Sequence, residues 1–312
     1  YSINSIIDFN KHPINDFNYI QKCNSLIKKN SLLVLENFLL DKSLKNILNE
    51  AKQLEDKAYY CEQQHTILLT KLSDSMDKND PLNILMTSDK GCVPHDLLSK
   101  SSDLNILYNS DIFKSFIRKV LNLDKIFPYA DNLSSINLNY YQKGQQLGWH
   151  FDNASFAITL MIQSSTQGGE FEYITEGRDS NANYIDKKLI SDVIEGKSNA
   201  KLLDVSEGTL ILFYGRNYLH RVTPVQSDTP RILITLNYNE ENHKKAQEAL
   251  HKLKEGEQLN GRKSYGVLNK ENKGKKSNAY EIQEGEPEQG RPSFEFVEIP
   301  PPDLPPKTLT LD

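Results

Sequence analysis

The sequence contains no stretch of about 18 consecutive apolar residues, so it offers no segment that could cross a membrane as a helix. It has no long basic stretch either. Lys and Arg are interspersed with Asp and Glu, and the net charge is −5. No nucleic acid or anionic membrane is therefore expected as a partner, and a small or neutral ligand is the more natural one. Cysteine is scarce: Cys23, Cys61 and Cys92 are an odd number without a paired framework, which fits a reducing, cytoplasmic setting better than a secreted disulfide scaffold. The chain opens on Tyr1 rather than Met, which leaves room for a removed leader. Internal repeats are absent too, and 312 residues suffice for one large domain or two ordinary ones.

What is there begins with helices. Phe17, Ile20, Leu26 and Ile27 recur at helical spacing, as do Leu44, Ile47, Leu48, Ala51 and Leu54, with "SLLVLENFLL" between them as a strand. Phe113, Phe116, Ile117, Val120 and Leu121 predict a third amphipathic helix, capped by Ser110 or Asp111. After residue 134 the pattern changes to short strands separated by turn residues, as in an antiparallel sandwich or jelly roll. In "SINLNYY", Ile136, Leu138 and Tyr140 oppose Asn137, Asn139 and Tyr141; in "RILITLNYN", Ile232, Ile234, Leu236 and Tyr238 oppose Arg231, Leu233, Thr235, Asn237 and Asn239. If the apolar faces pack on the helices, the polar faces either line an internal cavity or are solvated. A polar segment over residues 175–201 has room for a short helix at "DKKLISDVIEG", in a loop long enough to act as a lid or binding loop.

The fold class expected is therefore α+β. Residues 1–240 form one domain, helical over 1–130 with a jelly-roll core over 131–240 whose sheet receives the helices. Residues 241–312 read as a polar helix and a Pro-rich tail, with a PxxP at Pro302–Pro305.

In "GWHFDNASFAITL", His150 and Asp152 flank one phenylalanine at the mouth of a strand, and "FYGRNYLHRVTPV" supplies His220 on a distant one. Two imidazoles and one carboxylate are what a facial triad on an octahedral metal requires. An HxD alone is weak evidence, but other features follow in order. Tyr141 and Gly144 form a Y-x-x-G before His150, "GGEF" follows the first metal strand, "EGTLILF" leads to His220, and Arg231 lies beyond it.

Over roughly residues 15–240 this series resembles the Fe(II)/2-oxoglutarate-dependent dioxygenases of the prolyl-hydroxylase-like branch. The segments "GWHFDNASFAITLMIQ", "GGEFEYI" and "GRNYLHRVTPV" look like the branch that holds radical halogenases of free amino acids and their hydroxylating relatives. The resemblance implies a double-stranded β-helix and catalysis at His150, Asp152 and His220 as ligands to Fe(II), with 2-oxoglutarate as cosubstrate and O2 as oxidant. Arg231 would pair with the far carboxylate of 2-oxoglutarate, and Tyr141 and Thr235 would add hydroxyl hydrogen bonds. Halogenating members have Gly where this chain has Asp152, so the retained carboxylate points to hydroxylation.

The expected substrate is a small polar molecule, a free amino acid such as lysine. One alternative is a peptidyl, prolyl-type hydroxylase acting on a protein; another is a non-catalytic binding protein on the same fold. Glu170, Glu172, Arg178, Arg216 and Asp131 are candidates for gripping a zwitterionic substrate, and Trp149 is either pocket wall or core. Cys61-x3-His65 and Cys92-x2-His95 have gaps found in tetrahedral zinc sites, but they are irregular and fall in what reads as a loop over the barrel.

Overall fold

The computed structural model describes residues 2–129, 131, 133–240, 280–284 and 292–296. The polar helix expected from residue 241 and the PxxP at Pro302–Pro305 lie outside the described residues.

The N-terminal helices form where the apolar spacing places them. Helix α1 (Phe17–Asn30) begins at Asp16, whose side chain accepts from the Tyr19 N–H, and stops at Ser31 in the left-handed region. It buries Ile20, Cys23, Asn24 and Ile27, whereas Phe17 and Leu26, which share the spacing, are exposed. Strand β1 (Leu32–Leu35) follows, then α2 (Asp41–Leu54). The next stretch departs from the helical expectation, because β2 (Tyr59–His65) and β3 (Met86–Pro94) form an antiparallel pair. They gain their place from a tertiary ladder, β3 against the strand at Ile136–Tyr141, which local composition does not announce. Helices α3 (Asp103–Asn109) and α4 (Asp111–Val120) complete this part, with Ser110 capping α4 by accepting from the Phe113 N–H.

Short strands then dominate: β4 (Phe127–Pro128), β5 (Ile136–Tyr141), β6 (Leu147–His150), β7 (Ala157–Gln163) and β8 (Phe171–Tyr173). The polar segment expected to be a long loop holds β9 (Arg178–Asp179), β10 (Tyr184–Ile185) and the anticipated short helix, α5 (Lys187–Ile194). After it come β11 (Lys201–Leu203), β12 (Leu210–Phe213), β13 (His220–Val222), β14 (Arg231–Leu236) and β15 (Tyr238–Asn239). A separate hairpin joins β16 (Tyr280–Glu284) to β17 (Pro292–Phe296).

Two antiparallel sheets carry the architecture. The larger runs β1-β12-β7-β14-β5-β3-β2 and the smaller β11-β8-β13-β6. One face of the larger sheet, with Ile136, Leu138 and Tyr140 of β5 and Ile232, Ile234 and Leu236 of β14, packs with the buried faces of α1, α2 and α4 in one core. On its other face, Leu32, Met161, Ile211 and Phe213 meet Phe171, Tyr173 and Leu203 of the smaller sheet. Asn137, Asn139 and Tyr141 are buried as well, so the polar side of β5 is interior rather than solvated. The far side of the smaller sheet, with Trp149 and Phe151, is covered by Ile67 and by Ile190 and Val193 of α5. Among the described residues no helix is long and apolar enough to cross a membrane.

Phe116 of α4 is fully buried in the core that joins helices to sheet. Phe116→Ala should therefore cost about 3–5 kcal/mol of stability. Urea unfolding followed by circular dichroism measures it, and a loss below about 1 kcal/mol would place α4 outside the cooperative core.

Candidate metal centre

Strands β6 and β13 are neighbours in the smaller sheet, and their register sets His220 directly opposite His150. The imidazole centroids are 4.1 Å apart. Asp152 lies just past the end of β6, where its N–H donates to the Gly215 carbonyl at 3.0 Å. Its Oδ1 stands 3.3 Å from His150 Nε2 and 3.4 Å from His220 Nε2. Ligand atoms of all three residues fall within 4.8 Å of one another, and among the described residues this is the one His/Cys/Asp/Glu group so arranged.

Both imidazoles are held in the tautomer a metal needs. His150 Nδ1 is 2.8 Å from the Gly148 carbonyl, and His220 Nδ1 is 2.8 Å from the Tyr218 carbonyl. A carbonyl can only accept, so each Nδ1 carries the proton and each Nε2 presents a lone pair toward Asp152. Burial, then the His220 charge, push the His150 pKa down to about 4, which keeps its ring neutral at pH 7. Burial pushes the Asp152 carboxyl up, but its attraction to His220 and His150 whenever those rings are protonated outweighs burial and holds the group below the usual carboxylate range. Two lone pairs and a carboxylate thus converge on one point, an arrangement that a divalent cation completes.

The surroundings fix this face. A Cβ built on Gly215 would stand 1.8 Å from Asp152 Oδ2, so the carboxylate occupies space that any side chain at 215 would take. The Phe151 N–H donates to the Ile67 carbonyl at 2.8 Å, and the Gly148 N–H donates to Ser88 Oγ at 2.9 Å. Ser88 Oγ is also 2.6 Å from His65 Nε2, so β6 is braced by the β2–β3 pair. Sequence reasoning missed Gly215, Ser88 and the bracing role of His65. For Gly215, its place between the "LILF" strand and His220 was the only signal.

Arg231 opens β14 directly opposite Tyr141 on β5 and lies 5.4 Å from the centre of that ring. It is 2% exposed, and its Nε and Nη1 are buried without a hydrogen-bond partner among the described residues. Burial lowers its pKa from the ordinary value, opposed by Tyr141. A buried guanidinium with free donors is a site for a carboxylate. Thr235 lies farther along β14, where Asn139 Nδ2 donates to its Oγ1 at 2.9 Å.

Other residues singled out in the sequence fall elsewhere. Arg221 donates to Glu172 at 2.6 Å and stacks 4.7 Å over Trp149, on the side of the smaller sheet away from the histidines, so Trp149 is core. Glu170 accepts from Thr223, and Asp131 accepts from the Leu133 N–H and Ser134 Oγ. Arg178 and Arg216 stand beside the Asp152 loop, Arg178 over Phe151 and Arg216 bonded to the Asn153 carbonyl. The zinc pattern does not assemble. Cys61, His65 and Cys92 lie on strands rather than a loop, and His95 is bonded to Ser135 and Asn105.

Because Gly215 leaves the space that Asp152 fills, Gly215→Ala should weaken Fe(II) binding about 10- to 100-fold by turning the carboxylate aside. Competition against a chelator reads the affinity, and an unchanged value would mean that Asp152 contributes nothing to the metal.

Several solved structures are similar to the chain at low identity. An oxidoreductase of the 2OG-Fe(II) oxygenase family from Burkholderia pseudomallei is 15% identical, covering 72% of this chain and 92% of its own, with a TM-score of 0.46. The non-heme alpha-ketoglutarate-dependent epimerase SnoN from nogalamycin biosynthesis is 10% identical, covering 70% and 80%, at 0.49. A Pseudomonas putida prolyl-4-hydroxylase is 12% identical, covering 69% and 96%, at 0.40. No curated protein matches the chain. The family model for HalD, halogenase D, matches residues 16–256. With most of its length inside that match and a His-Asp-His cluster fit for iron, the chain belongs to the halogenase D family and is an Fe(II)- and 2-oxoglutarate-dependent oxygenase.

Proposed function

We propose that the protein hydroxylates an unactivated C–H of a small polar substrate, a free amino acid such as lysine. The observation that carries hydroxylation is Asp152, whose Oδ1 lies within 3.4 Å of both Nε2 atoms. A family named for halogenation would lead one to expect an open position there, and this chain fills it with a carboxylate. We also take the two facing sheets to be the double-stranded β-helix that the sequence resemblance implies.

In this reading His150, Asp152 and His220 hold Fe(II) on one face. When bound, iron and 2-oxoglutarate supply the oxidation of a C–H by O2, with 2-oxoglutarate leaving as succinate and CO2. Arg231 anchors the far carboxylate of 2-oxoglutarate through its unpartnered donors, and Tyr141, directly across the ladder, lies beside it. Thr235 sits four residues along the strand, about 13 Å from Arg231 at 3.3 Å per residue, so it serves the cosubstrate less directly than Tyr141. A polar chain runs from Lys90 Nζ to Asn139 Oδ1 at 2.8 Å and on to Thr235, which suits a ligand that brings its own charged groups.

Succinate formation and mass spectrometry across panels of free amino acids and of peptides separate the amino-acid reading from a peptidyl hydroxylase; no succinate with either would support the non-catalytic reading. Arg231→Leu should raise the KM for 2-oxoglutarate at least about a hundredfold, since it leaves a carboxylate buried without its partner at a cost of ~3–5 kcal/mol. An unchanged 2-oxoglutarate response would sink the assignment of Arg231. The wild-type product, formed in abundant chloride, should carry oxygen-18 from labelled O2 and no chlorine. A chlorinated product would overturn the hydroxylase reading.

A further inference from the structure

Arg178 and Arg216 flank the loop that carries Asp152. Arg216 follows Gly215, and its Nε and Nη2 both donate to the Asn153 carbonyl, at 3.1 and 2.6 Å. Arg178, on β9, places its guanidinium 4.9 Å from the centre of the Phe151 ring. The two side chains therefore rest on the residues immediately before and after Asp152. Both are only partly exposed. They are also close enough that the Arg216 charge, after burial, lowers the Arg178 pKa.

Like charges brought together in a partly buried place repel, and a protein ordinarily supplies a carboxylate between them. Here none is supplied: among the described residues neither Arg178 nor Arg216 forms an ion pair, whereas Arg221 on β13 is paired with Glu172. Donors remain for a ligand. Arg216 keeps Nη1, and a guanidinium stacked on an aromatic face still presents its edge. Asp152 itself is about a fifth exposed, so its carboxylate is not fully sealed from solvent.

We propose that Arg178 and Arg216 form an anion subsite at this edge of the metal centre and take the carboxylate of the substrate. The identity of the anion's owner rests on the oxygenase reading above; the subsite itself does not. It differs from the Arg231 pocket, which is fully buried between the sheets. A substrate held here is fixed at its acid end by paired, charge-assisted hydrogen bonds, and a neutral analogue of the same shape loses that grip.

Two experiments decide it. Crystals of the full chain with Mn(II) and 2-oxoglutarate, soaked in sodium bromide, should show a bromide peak between the two guanidinium groups in anomalous maps. The peak should disappear in Arg178→Met, the milder variant because it is Arg216, and not Arg178, that donates to the backbone of the Asp152 loop among the described residues. No peak in the wild type, or a peak that persists unchanged in both Arg178→Met and Arg216→Met, would overturn the proposal. In turnover assays over the free amino acids, Arg178→Met should raise the KM for the accepted amino acid about tenfold or more, without a matching rise in the KM for 2-oxoglutarate. The carboxamide of that amino acid should be a correspondingly poor substrate of the wild type. A rise confined to 2-oxoglutarate would assign the anion to the cosubstrate and refute the subsite as stated. If no free amino acid is turned over, the amino-acid reading fails, and the bromide maps still decide the subsite.

Discussion

One strand register holds the centre together: His220 opposite His150 across the β6–β13 ladder. A slip by a single residue would turn an imidazole from the interior toward the layer of Trp149 and Phe151. The register is irregular immediately after the pair, between His220 and Val222, so the alignment holds where it is needed and relaxes beyond it. Aromatic rings keep His220 in place, with Phe213 edge-on at 4.9 Å and Phe171 at 5.6 Å. The helices contribute indirectly, by burying the opposite face of the larger sheet and so giving the smaller one a firm surface to face.

Between the sheets the protein leaves two features incomplete, and they are complementary. The metal face presents two lone pairs and a carboxylate, a donor set for a cation. Arg231 has a cation but no carboxylate. A protein interior tolerates such deficits poorly, so each is an argument about what binds. A divalent ion chelated by one end of a dicarboxylic keto acid, with its other end on Arg231, would satisfy both at once.

The parts of this arrangement that depend on residue type were legible in the sequence, and the parts that depend on partners were not. His150, Asp152 and His220 could be singled out because their order along the chain, with Tyr141, Gly144 and Arg231, resembles a known family, and the structure brings the three together and buries Arg231. Helices α1, α2 and α4 showed in their spacing, though Phe17 and Leu26 share that spacing and are exposed. Strands β2 and β3 did not show, because a ladder with β5 places them. Trp149 was ambiguous for a related reason: a strand buried on both faces has no polar side to orient it. Glu172 looked like a free ligand until the β13–β8 register set it opposite Arg221.

Gly215 has a consequence for how such a centre changes over evolutionary time. Its missing side chain is space already taken by the Asp152 carboxylate. Positions 152 and 215 are thus coupled, and the coupling gives substitutions an order. While the aspartate stands, any larger residue at 215 is opposed; once residue 152 is a glycine, that opposition ends and 215 is free to drift. A lineage that lost the carboxylate and then filled position 215 could not regain the ligand by one reversion, so the change would act as a ratchet.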